Sequence, residues 1–137
     1  LNFFNTYGPT EGTDAVIPNF VLKAIKNEKI VIEGNGLQAR DFTYIDDTIN
    51  VLCNIIENSN DYYRYLNIGT GKDFSILSIF DILSKYFTDL KSEFIEARPN
   101  EVKTFVADNR IIRENFNFNA STDLQTGIKK VIDFYKK

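Results

Sequence analysis

The chain has 137 residues, of which 43% are hydrophobic and 26% are charged, and its formal net charge is -3 at pH 7. This composition is typical of a soluble globular protein, so we expect residues 1–137 to form a single domain, and it excludes an intrinsically disordered chain. The negative net charge argues against nucleic acid or an anionic membrane as partner, and no apolar run reaches membrane-spanning length.

The numbers of cysteines and histidines narrow the possible chemistry. The chain has one Cys and no His. It can therefore form no internal disulfide, no zinc site of the usual kinds and no histidine general base, and we expect it to bind no metal. Nothing at the N-terminus resembles a signal peptide, so we expect a reducing, cytoplasmic setting. The chain contains no Met and begins at Leu1, which indicates a piece of a longer sequence.

The first residues predict a strand, a loop and a helix. Leu1 to Phe4 is apolar and predicts the end of a strand whose partners lie outside the chain, and Asn5 to Pro9 predicts a turn. Asp14 is the candidate cap of the helix, which has Pro18 in its first turn. Helical spacing predicts one apolar face and one solvated face, namely Val16, Ile17, Phe20, Val21, Ala24 and Ile25 against Lys23 and Lys26.

The stretch from Gly34 to Asp47, GNGLQARDFTYIDD, carries the densest signals. The β-branched strand Ile30-Val31-Ile32 stops at Gly34, and Gly34-Asn35-Gly36 predicts a turn with positive φ. Arg40 follows at the start of a short strand. Its planar guanidinium suits a phosphate or a carboxylate, which makes Arg40 the first candidate ligand residue.

A helix is predicted to follow this stretch. Asp46 or Asp47 is the expected N-cap, and the expected buried face consists of Ile49, Leu52, Cys53 and Ile56. Cys53 is thereby predicted to be a buried structural thiol rather than a nucleophile. Asn58 to Tyr63 is predicted to be a polar connection.

The second half continues the alternation of strands and helices. Tyr65 to Ile68 predicts a strand that ends in Gly69-Thr70-Gly71, a turn that can cradle a phosphate but has neither the P-loop ending nor the dinucleotide spacing. Ser75 is the expected cap of an apolar helix, and Glu93 to Glu96 predicts a strand. Asp108 is expected to cap a short helix, and Thr122 with Gln125 to form the capping box of the last one. This order predicts an α/β fold.

Several phrases, taken together and in this order, resemble a known family: FFNTYGP, AVIPNF, IEGNGLQARDFTYIDD, YLNIGTG, SILSIFDIL, ARPNEV and VAD. They are similar to the C-terminal part of extended short-chain dehydrogenases/reductases that act on nucleotide sugars, above all UDP-glucose 4-epimerases. The resemblance covers essentially the whole chain. It implies the C-terminal substrate-binding lobe plus the last strands and helices of a Rossmann-type domain. The function it implies is that of the nucleotide-sugar lobe of an NAD-dependent 4-epimerase, with a UDP-hexose as ligand.

The resemblance also implies roles for individual residues. Asn5 matches an asparagine that binds the diphosphate or the nearby sugar, Arg40 and Arg98 match phosphate-binding arginines, and Glu101 matches the acceptor of the ribose hydroxyls. Phe105 falls where the family borders the sugar pocket, but it can equally be a core residue. The segment that matches the nucleobase contact contains Val16, Ile17, Asn19 and Phe20.

Alternatives remain at this point. Arg98 and Glu101 flank a turn and can form only a local surface pair. Asn100 stands where the family has Gly, and Asn tolerates the left-handed φ that such a turn needs. A 4,6-dehydratase or a decarboxylase of the same family would share the nucleotide site. A non-catalytic binding module is the rival from another class.

The family's cofactor elements are not found in this sequence. The glycine-rich dinucleotide motif and the catalytic YxxxK are both absent from the 137 residues. We therefore expect no catalytic residue and no NAD bound by this chain alone, with NAD serving the complete enzyme. The resemblance further implies a homodimer of the parent enzyme, formed through helices of the cofactor domain.

Overall fold

The computed structural model describes residues 1–58, 63 and 65–137. The elements of the first half are β1 (Asn2–Phe3), β2 (Thr6–Tyr7), α1 (Val16–Ile25), β3 (Ile30–Glu33), β4 (Ala39–Arg40), β5 (Thr43–Tyr44) and α2 (Ile45–Asn58). Those of the second half are β6 (Asn67–Ile68), β7 (Phe74–Ser75), α3 (Ile76–Ser84), β8 (Ser92–Ile95), β9 (Thr104–Phe105), α4 (Arg110–Phe116) and α5 (Leu124–Tyr135). Of the predicted polar connection Asn58 to Tyr63, residues 59–62 lie outside the described residues.

The strands pair mostly in parallel, which confirms the α/β prediction. The parallel pairs are β1 with β6, β2 with β5, β3 with β8 and β4 with β9, while β7 runs antiparallel to β4. The first strand was expected to have its partners outside the chain. This prediction is wrong for one edge of β1, which pairs with β6. The Asn2 amide donates to the Leu66 carbonyl at 2.8 Å, and the Phe4 amide donates to the Ile68 carbonyl at 3.0 Å.

Two buried clusters hold these elements together. The larger one joins the inner faces of α1, α3 and α5 to β3, and its fully buried members include Ile17, Val21, Ile30, Ile79 and Ile128. The smaller one joins α2 and α4 to β6 around Val51, Ile68 and Ile112. The predicted apolar face of α1 is confirmed, since Ile17, Phe20, Val21 and Ala24 are buried in this cluster and Val16 and Ile25 pack against it.

Tyr7 packs closely against α5. A Cβ added at Gly127 would lie 1.9 Å from the Tyr7 hydroxyl oxygen, so the helix can approach the ring only because this position has no side chain. Burial also raises the pKa of the Tyr7 hydroxyl above its usual range. The tyrosine is therefore a neutral core residue at this contact.

The predicted caps are correct at one helix and wrong at four. Ser75 caps α3 as expected, since its side chain accepts from the Ser78 amide at 3.1 Å. Asp14 does not cap α1, because the helix begins one residue later than Asp14 would require and its N-cap is Ala15. Pro18 does lie in the first turn of α1.

The predicted N-caps of α2, α4 and α5 are likewise displaced along the chain from the observed helix starts. Neither Asp46 nor Asp47 is an N-cap, because α2 begins at Ile45 directly after β5 and both aspartates lie inside its first turn. The N-cap of α4 is Asn109 rather than Asp108. The cap of α5 is Asp123, which accepts from the Thr126 amide at 2.9 Å, so the predicted pair of Thr122 and Gln125 is wrong.

The predicted buried face of α2 is wrong at three of its four positions. Ile49 is 48% exposed, Cys53 is exposed, and Ile56 is 81% exposed. Leu52 packs inward as predicted, together with Val51 and Ile55. Asp47, in the first turn of the helix, lies on the buried side as well, and its carboxylate accepts from the Ser121 amide at 3.1 Å and the Thr122 amide at 3.0 Å.

Candidate functional site

A cavity of about 400 Å³ lies between α1, β3, β4 and the turn from Arg98 to Glu101. The residues predicted from sequence that line it are Asn5, Val16, Asn19, Phe20, Arg40, Arg98 and Glu101. They come from segments far apart in the chain, which the pairing of β4 with β9 and of β3 with β8 brings together. This convergence makes the cavity the candidate site.

Arg40 is held in a fixed orientation at one side of the cavity. Its Nη1 donates to the Val102 carbonyl at 2.7 Å and to the Ala39 carbonyl at 2.9 Å, while its Nη2 forms an ion pair with the Glu101 carboxylate. The arginine side chain is only 19% exposed. Fixation of a guanidinium by three contacts is suited to an anionic group with a defined geometry.

Arg98 reaches the same cavity from the other side. Its Nη2 forms an ion pair with Glu33 Oε1 at 2.6 Å, and its side chain is 72% exposed. The hydrogen bond to the Glu33 carboxylate raises the pKa of the Arg98 guanidinium above its usual value. The alternative of a local pair between Arg98 and Glu101 is wrong, since each residue pairs with a partner from another strand or turn.

The turn between these two residues has the predicted shape. The Glu101 amide donates to the Arg98 carbonyl at 3.3 Å, and Asn100 has φ +61°. Gly34 and Gly36, in the turn after β3, have the predicted positive φ of +60° and +70°. Asn therefore serves at position 100 in the left-handed conformation that glycine usually supplies.

The amide-bearing residues at the cavity are partly engaged by backbone. Asn5 has φ +30° and its Nδ2 donates to the Asp41 carbonyl at 3.0 Å. Asn19 Nδ2 donates to the Thr13 carbonyl at 3.2 Å. Each side chain keeps an oxygen that can accept a hydrogen bond from a ligand.

Two predicted residues do not line this cavity. Ile17 is 1% exposed in the core and borders a smaller adjoining cavity of about 150 Å³. Phe105 is 50% exposed and its ring stacks on Phe4 with centroids 4.7 Å apart. The alternative of a core phenylalanine is therefore wrong, and no contact places Phe105 at the cavity wall among the described residues.

Several lining residues were not predicted as ligand residues. Glu33 shares a strand face with Val31, and period-two alternation from the buried Ile32 could have identified it. Lys23 is half-buried and lines the cavity, which corrects its assignment to a solvated face, and Asp14 lines it instead of capping α1. The cavity's charged side chains are thus three cations, Lys23, Arg40 and Arg98, and three carboxylates, Asp14, Glu33 and Glu101.

The glycine turn after β6 is occupied by a group of the chain itself. The amides of Thr70 and Gly71 donate to the Asp41 carboxylate at 2.9 and 2.8 Å. A turn of this kind binds anions through backbone N–H groups. Here the anion is an internal carboxylate, so the turn is not a phosphate cradle.

Glu11 borders the smaller cavity together with Asn5 and Phe42. Burial raises the pKa of its carboxyl to about 7. Its Oε2 is buried and has no hydrogen-bond partner among the residues that the structure describes. This carboxyl differs from those of Glu33 and Glu101, which are both paired with arginines.

The described part of the chain gives no sign of a metal centre or a membrane helix. No cluster of three or more potential metal ligands occurs there. None of the helices described combines the length and apolar character needed to cross a bilayer.

Comparisons with known proteins agree on one family. Residues 1–69 match the NAD dependent epimerase/dehydratase family. The chain is 30% identical to a UDP-glucuronate 4-epimerase of Thermodesulfobacterium geofontis, over 100% of this chain and 42% of that protein. It thus spans less than half the length of that relative.

Solved structures give the same result. A UDP-glucuronic acid 4-epimerase from Bacillus cereus, in complex with UDP-glucuronic acid and NAD, is similar with a TM-score of 0.91 and 28% identity, over 98% of this chain and 43% of that one. An NAD dependent NDP-hexosamine 5,6-dehydratase involved in tunicamycin biosynthesis has a TM-score of 0.90 and 27% identity, over 98% of this chain and 44% of the other.

Proposed function

Because this chain belongs to the NAD dependent epimerase/dehydratase family, we propose that its cavity binds a nucleotide sugar, with a UDP-hexose as the ligand. The complete protein is then an NAD-dependent 4-epimerase to which residues 1–137 contribute the nucleotide-sugar lobe. The observation that carries this proposal is the meeting of Arg40, Arg98 and Glu101 at one cavity.

The chemistry of these side chains fits a nucleoside diphosphate. Guanidinium groups bind phosphate oxygens through paired N–H donors, and a carboxylate accepts from the two hydroxyls of a ribose. Arg40 and Glu101 contact each other. A phosphate bound by the arginine and a hydroxyl bound by the carboxylate would therefore be neighbouring groups of one ligand. Asn5, which lines the same cavity as Arg40, can donate its second Nδ2 hydrogen to the diphosphate, and its amide oxygen can accept from a hydroxyl of the sugar.

We propose that NAD is bound by a part of the complete enzyme outside the described residues. Their glycine turn after a strand, Gly69 to Gly71, is filled by the Asp41 carboxylate and cannot hold a pyrophosphate. We therefore assign binding and orientation of the nucleotide sugar to this chain, and we derive no redox step from it. NAD and the catalytic residues belong to the complete enzyme, and the chain alone is not catalytically competent.

A dehydratase of the same family is the second candidate. The structural similarity to the NDP-hexosamine 5,6-dehydratase is as strong as that to the epimerase, with TM-scores of 0.90 and 0.91. Both activities require a nucleotide sugar held by its diphosphate. A clamp formed by Arg40, Arg98 and Glu101 would serve either activity.

Calorimetric titration with UDP-glucose tests the clamp through Arg40→Ala. Loss of a charge-assisted contact of about 2 kcal/mol should weaken binding by roughly 30-fold. Arg110→Ala is the matched control, since this arginine is exposed and pairs with Asp108 away from the cavity. Equal affinity in Arg40→Ala and Arg110→Ala would refute the clamp.

A further inference from the structure

Asp41 follows Arg40 directly and is completely buried, with 0% of its surface exposed. Its carboxylate accepts four hydrogen bonds. The donors are the Thr70 amide at 2.9 Å, the Thr70 hydroxyl at 2.6 Å, the Gly71 amide at 2.8 Å and the Ala107 amide at 3.2 Å. A buried carboxylate is tolerated only when its oxygens are satisfied in this way.

These donors connect the residue after Arg40 to two other segments. Thr70 and Gly71 belong to the turn after β6, and Ala107 follows β9. The backbone of Asp41 adds two more links, because its amide donates to the Phe105 carbonyl at 3.0 Å and its carbonyl accepts from Asn5 Nδ2 at 3.0 Å. Asp41 is thus the junction between the strand of Arg40, the strand after Glu101 and the loop of Asn5.

The glycine turn is shaped to fit this carboxylate. A Cβ at Gly69 would lie 2.7 Å from Asp41 Oδ2 and 2.5 Å from the Ala107 Cβ. Asn109 supports the turn from the other side, since its buried Nδ2 donates to the Gly69 carbonyl at 2.9 Å. The turn can therefore approach Asp41 only with glycine at position 69.

We propose that Asp41 is a positioning residue for nucleotide-sugar binding, which acts by holding Arg40 and the segment after Glu101 in register. The strand β4 has only two residues, Ala39 and Arg40, so its own ladder fixes the arginine weakly. Asp41 anchors the end of this strand, and through Ala107 it anchors the end of β9. Val102, two residues before β9, accepts from Arg40. A binding side chain needs its supporting contacts to hold it within about 0.5 Å of the productive position.

This inference rests on the proposed function, and Asp47 provides its control. Asp47 is likewise an aspartate only 3% exposed that accepts from two amides and one hydroxyl. Its donors, however, belong to Ser121 and Thr122, before α5, and none of these residues lines the cavity of Arg40. Asp41→Asn and Asp47→Asn therefore cause the same chemical change in two similar networks, of which only one adjoins the clamp.

The test is titration of wild type and both variants with UDP and with uridine, at a temperature where circular dichroism shows all three to be folded. We expect Asp41→Asn to weaken UDP binding about tenfold or more, because a displaced arginine loses a charge-assisted contact, and Asp47→Asn to change it less than about twofold. Uridine has no phosphate for Arg40, so its affinity should be the same in all three proteins. Equal UDP affinities in wild type and Asp41→Asn, or equal losses in both variants, overturn the inference.

A milder pair keeps the test decisive if Asp41→Asn does not fold. Thr70→Val removes the hydroxyl 2.6 Å from Asp41, and Ser121→Ala removes the hydroxyl 2.7 Å from Asp47. We expect weaker UDP binding in the first variant only, and an equal affinity in both overturns the inference. A wild-type protein that binds neither UDP nor UDP-glucose overturns the proposed function, and the inference with it.

Discussion

The two arginines of the cavity differ in how they are held. Arg40 is 19% exposed and donates to two carbonyls as well as to Glu101, whereas Arg98 is 72% exposed and contacts Glu33. Arg40 is therefore oriented before a ligand arrives, and little conformational entropy remains to be lost on binding. Arg98 is a charge at the rim, which loses more freedom on binding and is screened by salt. The same residue type thus fills two different roles at one site.

The largest effect should come from replacing each arginine with lysine. Lysine keeps the charge but cannot reach Glu101 and the Val102 carbonyl through one planar group, so Arg40→Lys should weaken UDP-glucose binding about tenfold. Arg98→Lys keeps a single contact to Glu33 and should weaken it by less than about threefold. Calorimetry of both variants measures this difference, and equal losses would mean that the two arginines are held alike in solution.

A medium effect is expected from Glu11, which borders the smaller adjoining cavity and pairs with no arginine among the described residues. Burial raises its pKa to about 7 from the ordinary value of 4.5, so the folded protein binds this proton more tightly than the unfolded chain. The stability associated with the proton is fully present below about pH 4.5 and is lost as pH rises through about 7. Glu11→Gln should therefore show a smaller fall in melting temperature than wild type between about pH 5 and about pH 8. A fall of the same size in both proteins would contradict the shifted pKa.

The smallest effect concerns Glu33, which in the proposed clamp would compete with a ligand phosphate for Arg98. Glu33→Gln should strengthen UDP-glucose binding by about twofold at low salt, and the gain should disappear at about 1 M salt, where the Debye length is about 3 Å. Glu101→Gln is the contrasting variant, since Glu101 is proposed to accept from the ribose and its loss should weaken binding. Titrations at low and high salt distinguish the two carboxylates. A gain that persists at high salt would show that exposure does not set the behaviour of Arg98.

The sequence predicts individual residues of this site better than their partners. Arg40 lies in a short strand as expected, and Arg98 and Glu101 flank a turn. All three line the cavity, and the left-handed conformation of Asn100 is confirmed. The ion pair of Arg98 with Glu33 was not predictable, because it joins residues 65 positions apart through the pairing of β3 with β8. Sequence spacing reports local periodicity and contains no direct information on such pairings.

The errors in the helices have a similar origin. The cap predicted for α5 was displaced by one residue, since Thr122 and Asp123 are both good capping residues and only the path of the chain decides between them. The predicted face of α2 is wrong because Thr48, Val51, Leu52 and Ile55 also recur at helical spacing, and spacing alone does not decide between the two faces. The face that is buried is the one that packs against α4 and β6.

The balance of three cations and three carboxylates around the cavity has a consequence for the choice of ligand. A strongly positive cavity would concentrate any anion, including inorganic phosphate. Here an anion that brings only negative charge must displace Glu33 or Glu101 and leave a carboxylate unpaired near the new charge. A molecule that also offers hydroxyl donors can satisfy the released carboxylate. If the cavity binds a nucleotide sugar as proposed, we therefore expect simple anions that lack hydroxyl groups to compete poorly with it.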